Sequence, residues 1–129
     1  NAADDDLLRD LQKIIFRYDV SILKSEGTLS AALDDLRAIK EKSQNTRVPH
    51  VHGFVRLNET ECMIDTSEMI FRASRIRRES RLSHIREDYP TRDDNNWLNW
   101  ILIKKQNGAP YLWMEPIATP LVPAENSSR

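Results

Sequence analysis

The sequence has no apolar run close to the roughly 18 residues of a membrane span, and its first residues form no apolar signal core. These 129 residues therefore read as neither membrane-inserted nor as a secretory leader. A single cysteine, Cys62, excludes an internal disulfide and favours the cytosol. A net charge of −1 gives no general attraction to nucleic acid or to an anionic membrane surface. No Gly-x-Gly-x-x-Gly occurs, so the chain offers no dinucleotide cradle of that kind. Internal repeats and low-complexity tracts are also missing. There is no initiating Met, and Asn1-Ala2 looks like the scar of a removed tag, so the chain reads as an excised piece.

What is present suits one domain with one modest core. Apolar residues make up 40% and charged residues 30%, ordinary for a soluble protein. The charge is unevenly spread. From Arg72 to Arg92 there are seven arginines against three acids, so a nearly neutral chain carries one concentrated basic patch.

Three helices are expected. Asp4 to Asp6 put carboxylates where a helix N-terminus favours negative charge. Leu7, Leu8, Leu11, Ile14, Ile15, Tyr18 and Ile22 follow at helical spacing, which predicts a helix to about Lys24 that stops at Gly27. Thr28 or Ser30 can start a second helix with Leu29, Ala32, Leu33, Leu36 and Ile39 on one face, ending near Lys42. Residues 45–57 contain Pro49 and Gly53 and read as a loop. Asn58 and Glu61 suggest a capping box for a third helix, with Cys62, Met63, Thr66, Met69, Ile70, Ala73 and Ile76 as its apolar stripe. Short amphipathic helices gain most of their stability from packing, so an antiparallel, spectrin-repeat-like three-helix bundle is predicted.

Beyond Pro90 the pattern changes. Trp97 to Ile103 and Tyr111 to Met114 are aromatic and β-branched, with Gln106-Asn107-Gly108 between them as a strong hairpin turn. Pro116, Pro120 and Pro123 then forbid regular structure. The fold class is thus mainly α with a short C-terminal β-hairpin. The bundle and arginine segment should occupy 4–94, the hairpin 95–117, and a loose tail 118–129.

The most informative stretch is Arg78-Glu-Ser-Arg-Leu-Ser-His-Ile-Arg-Glu-Asp-Tyr-Pro90, followed by Arg92-Asp93-Asp94. Arg78, Arg81 and Arg86 can form bidentate pairs with Glu79, Asp88 and Asp93 and so fix a non-helical segment. Arg75–Glu79 has the spacing of a helical i,i+4 pair. Such pairs are costly to break once buried, because the remaining charge is desolvated.

The pattern Arg-Glu-Ser-Arg-x-x-His-x-Arg-x-Asp-Tyr-Pro, with Arg92-Asp93-Asp94 and Asn96-Trp97-Leu98 behind it, resembles the C-terminal helical domain of the succinate dehydrogenase and fumarate reductase flavoproteins. L-aspartate oxidase belongs to the same family, and the adenylylsulfate reductase α subunit is a more distant relative. The resemblance covers about Leu7 to Pro116. It departs from the family at Leu82, where glycine is usual. Glycine would allow a positive-φ turn that leucine disfavours, so the third helix is expected to run somewhat further here.

Several expectations follow from the resemblance. The parent would be a cytoplasmic FAD-dependent oxidoreductase, held at the inner face of the membrane only through partner subunits. This chain would pack on the FAD-binding domain of the same polypeptide, and an iron–sulfur subunit could contact it. It would itself carry no FAD, no metal and no catalytic residue. Arg78, Glu79, Ser80, Arg81, His84, Arg86, Asp88, Tyr89, Arg92 and Asp93 would act as a clasp between domains.

Other readings of these residues remain open. His84 can serve as an acid or base or as a hydrogen-bonded structural histidine. His50-x-His52 with Cys62 is a weak metal signal, and Cys62 on an apolar stripe suits packing better than nucleophilic chemistry. Asp34 and Asp35 point apart on a helix and cannot share a proton, while Asp93 and Asp94 suit capping or ion pairing. Trp97, Trp100 and Trp113 could stack on a base or flavin, or cover the end of the bundle. Several arginines on one helix can track phosphates, although interleaved acids oppose it. An independent module that holds a protein partner through the basic patch or the tryptophans is the alternative.

Overall fold

The computed structural model describes residues 2–118, with side chains from Asp5 onward. The expected tail beyond Ala118 and the capping role of Asp4 lie outside the described residues and side chains. Two compact units are present, one up to Arg92 and the other from Asp93.

The first unit contains helices α1 (Ala2–Ile15), α2 (Tyr18–Ser21), α3 (Glu26–Gln44) and α4 (Val51–Ile76), with two-residue strands β1 (Leu23–Lys24) and β2 (Ile85–Arg86). Helices α1, α3 and α4 pack on one another as the expected bundle. Cross-helix ion pairs fix its sense. Lys42 meets Asp10 and Arg17 meets Asp35, so α1 runs against α3. Arg75 meets Glu26 and Lys40 meets Asp65, so α4 runs against α3 as well. The core is Leu7, Leu11, Ile14, Val20, Leu29, Ala32, Leu36, Ile39, Ile64 and Phe71. A leucine as fully buried as Leu7 or Leu29 contributes about 2 kcal/mol.

Three helix boundaries differ from the sequence expectation. The first helix does not reach Lys24, because Arg17 turns extended (ψ 136°) and β1 is recruited into a parallel pair with β2. Gly27 does not end a helix. It lies in the first turn of α3, where Ser25 is the cap: its Oγ accepts from Thr28 N–H, and Thr28 Oγ1 accepts in return from Ser25 N–H. Helix α4 starts at Val51, so residues 51–57 of the loop expected at 45–57 are helical, and Asn58 bonds Phe54 O within the helix.

The register of α4 explains that last difference. Its buried line is Gly53, Thr60, Ile64, Ser67 and Phe71, mostly small or polar. Phe54, Val55, Met63, Ile70 and Cys62 are exposed, so the apolar stripe read from the sequence is not the core face. Where neighbouring helices approach closely, small residues bury and hydrophobic periodicity fades.

The second unit holds α5 (Asp94–Trp97) and a hairpin of β3 (Asn99–Gln106) and β4 (Ala109–Pro116). Its register runs from Asn99↔Pro116 to Gln106↔Ala109. Asn107 and Gly108 both have positive φ, 51° and 81°, as a type I′ turn requires. Trp113 stacks on Tyr111 at 6.0 Å, with the Lys104 ammonium 5.5 Å from each ring; Trp100 is exposed.

Candidate functional site

The arginine segment begins where α4 ends. Arg77 is extended, and no helix continues toward Leu82, contrary to expectation. Glu79 is fully buried and accepts from two guanidinium groups: Arg77 Nη1 at 2.7 Å, and Arg81 Nε and Nη2 at 2.9 and 3.1 Å. A buried carboxylate held by two cations is compensated as burial demands. The sequence places Arg78 and Arg75 near this acid, yet Arg78 is exposed and Arg75 pairs with Glu26 instead. Spacing alone does not single out Arg77.

Arg81 and His84 exchange backbone hydrogen bonds of 2.8 and 2.9 Å, closing a tight turn through Leu82-Ser83. Leu82 has φ +51° and is 93% exposed. Turn closure thus holds leucine in a conformation that glycine would adopt without cost.

After the turn, β2 pairs with β1, and Glu87 N–H donates to Lys24 O at 2.8 Å. This places the Arg86 side chain, fully buried, beneath the end of α4. Its Nη1 donates to Ser74 O, Arg75 O and Arg77 O at 2.9, 3.1 and 3.3 Å. These include last-turn carbonyls that the helix itself cannot satisfy, at the end where a cation is favoured. Nε and Nη2 of the same guanidinium donate to both oxygens of Asp88 at 2.7 Å. Asp88 Oδ2 in turn accepts from Glu26 N–H at 2.9 Å, at the N-terminus of α3. One bidentate pair therefore joins the negative end of α4 to the positive end of α3.

The electrostatics agree with that placement. The Arg86 guanidinium lowers the Asp88 carboxyl to about 2, helped by the Glu26 N–H and opposed by partial burial. Asp88 raises the Arg86 pKa further. Tyr89 lies under the guanidinium at 5.1 Å, a cation–π arrangement. Ser80 ties the loop together: its Oγ accepts from Arg86 N–H at 2.9 Å and donates to Tyr89 O at 2.8 Å.

His84 lies with Nε2 3.2 Å from Arg77 O. Burial, with the nearby cations of Lys24, Arg86 and Arg77 acting in the same direction, lowers its pKa. A carbonyl can only accept, so the neutral ring carries its proton on Nε2. Arg92 is exposed. Asp93 accepts from Asn96 N–H at 3.2 Å and so caps α5. Asp34 pairs with Arg37 and Asp35 with Arg17, two separate directions. Lys24 and Glu26 join the cluster only because β1 reaches β2, a long-range pairing with no local signal.

The family model described as fumarate reductase flavoprotein C-term matches residues 8–128. The chain belongs to that family. It is 29% identical over 111 residues to an FAD-dependent oxidoreductase of Methanocaldococcus jannaschii, covering 86% of this chain and 20% of that protein. It is 34% identical over 93 residues to one subunit of the CoM/CoB fumarate reductase of Methanothermobacter marburgensis, covering 68% and 17%. Adenylylsulfate reductase from Archaeoglobus fulgidus shares the fold with a TM-score of 0.83 at 24% identity, over 90% of this chain and 19% of that one. The chain thus spans about a fifth of the length of the curated relatives it matches.

Proposed function

We propose that this chain is the seat on which the FAD-binding domain of a longer oxidoreductase polypeptide rests, with the arginine clasp as its rigid base. The family match over residues 8–128, together with the small share of each relative that it spans, carries this reading. In the whole protein FAD would supply the hydride chemistry. This domain would bind no flavin itself and would contribute a preorganised surface.

The clasp suits that role because none of its strong pairs depends on long mobile side chains at a wet surface. Glu79 and Arg86 are fully buried, so Arg77, Arg81 and Asp88 are held in fixed positions around them. Beside it, Phe16, Tyr18, Ile22, Leu82 and Ile85 are exposed, more apolar surface than water favours at one end of a small domain. A flavin domain of the same polypeptide is the occupant we assign to it. An iron–sulfur subunit, and through it a cytoplasmic membrane face, would complete the assembly. No helix among the described residues is long and apolar enough to cross a membrane.

Arg81→Ala in the full-length polypeptide tests the reading. Flavin content after gel filtration should fall and domain contact should loosen, while the visible spectrum of the flavin that is retained keeps its shape. Unchanged flavin content and unchanged thermal stability in that variant would remove the clasp from the interface.

A further inference from the structure

A second feature of the same end of the bundle is not explained by the clasp. A cleft of about 450 Å³ is bounded by α1, α2, α4 and the turn before β2, with Lys24 and His84 on its wall. It contains a lysine and a histidine and no acid. Lys24 is only 7% exposed, and its ammonium has two backbone acceptors, Ser21 O at 3.1 Å and Ile22 O at a long 3.5 Å. An ammonium has three N–H donors, so one has no acceptor among the described residues. A buried cation normally has a counter-charge, because desolvation is otherwise uncompensated.

The nearby carboxylates are committed elsewhere. Glu79 binds Arg77 and Arg81, and Asp88 binds Arg86 and the start of α3. Two hydroxyls on the cleft wall, those of Ser74 and Ser83, make no hydrogen bond among the described residues and can donate. The remaining wall is apolar, from Ile15, Val20, Ile70 and Phe71. One formal positive charge, spare donors and apolar walls match a monoanion on a hydrocarbon stem better than a phosphate dianion.

We propose that this cleft is a carboxylate-binding site in which Lys24 is the ion-pair partner and the serine hydroxyls are secondary donors. The carboxylate can be a free short-chain acid or an Asp or Glu side chain from another part of a longer polypeptide. The chemistry is the same, and the source is separable by experiment. The site stands on the geometry of this chain and does not depend on the flavin reading.

The reporter is the His84 ring, which lines the cleft with Lys24 and faces the further cations Arg77 and Arg86. A bound carboxylate favours its charged form. The three histidines of this chain are titrated by NMR with sodium butyrate at about 50 mM, enough to fill a site of millimolar Kd. Sodium chloride at equal ionic strength and butanol serve as controls. Butyrate should raise the His84 pKa by about half a unit or more, leaving His50 and His52 unmoved. Lys24→Met should abolish the response and Lys24→Arg should retain it. A His84 titration that butyrate leaves unmoved, or moves equally in Lys24→Met, overturns the proposal for a free acid.

The same titration in the full-length polypeptide assigns the source. A His84 pKa already raised above its value in the shorter chain and indifferent to butyrate identifies a carboxylate of the polypeptide itself. A response to butyrate there identifies a free acid. Absence of both, with no response in the shorter chain, overturns the site altogether. Loss of flavin in Arg81→Ala has no bearing on these outcomes, so the two proposals fail separately.

Discussion

Leu82 holds φ +51° with its side chain 93% exposed, so a glycine at that position removes backbone strain while taking away almost no packing. The left-handed region costs a non-glycine residue about 1–2 kcal/mol. Glycine adds unfolded-state freedom that offsets roughly 0.4–1 kcal/mol of this. The balance favours Leu82→Gly by about 0.5–1 kcal/mol. Leu82→Ala separates strain from packing: alanine keeps the Cβ clash, so its stability should stay within about 0.5 kcal/mol of the parent. Urea unfolding of this chain, followed by far-UV circular dichroism, gives the midpoint and slope for each variant. The expected result is a higher midpoint for Leu82→Gly at unchanged slope. A lower midpoint would mean that the exposed leucine makes contacts that outweigh its strain, and the turn would need a different description. If Leu82 is part of the seat for the flavin domain, the same variant stabilises the isolated chain and weakens flavin retention in the whole polypeptide.

Other perturbations reach different parts of the clasp. Asp88 titrates near 2, below its ordinary value of 3.8, so its contribution is fully present above about pH 4 and lost as pH falls toward 2. Because the carboxyl is partly exposed, that contribution is about 1 kcal/mol after allowance for solvent screening. Asp88→Asn should therefore flatten the acid limb of a stability–pH curve between about pH 4 and 2, and a limb of unchanged steepness would contradict the pairing. Arg86→Lys retains a charge but cannot serve three carbonyls and both carboxylate oxygens, and it should cost about 3 kcal/mol or more in urea unfolding; a loss below about 1 kcal/mol would show that the buried guanidinium is dispensable. Ser25→Ala removes the cap of α3 and should cost about 1 kcal/mol, with no loss expected if Thr28 can cap alone. Gly108→Ala places a Cβ at φ +81° and should lower hairpin stability by about 1 kcal/mol, read as loss of hydrogen-exchange protection in β3 and β4 alone.

Legibility in the sequence followed how local each signal was. The leucines of α1 and α3 repeat at helical spacing and face the core, so both helices could be read directly. Asn107-Gly108 sits between two β-rich runs and set the hairpin register by turn chemistry alone. The register of α4 was not legible, because Gly53, Thr60 and Ser67 bury while Phe54, Met63 and Ile70 face outward. The break of the first helix was also invisible. It depends on β1 meeting β2 and on Glu26 meeting Asp88, 62 residues away. The steric objection to leucine at position 82 was sound as an energy, but the Arg81–His84 turn overrides it rather than letting the helix continue. For the clasp, residue types told that Glu79 and Asp88 would meet arginines, whereas Arg78 is exposed and Asp93 caps α5. Residue types could not tell that Arg77, rather than Arg78, reaches the buried Glu79.

Whether this domain belongs to a flavin-carrying polypeptide is decided by the visible absorption spectrum of the purified full-length protein. A flavin band that bleaches on reduction is the expected result. A full-length protein with no flavin band would contradict the account and turn attention to a protein partner for the arginine segment.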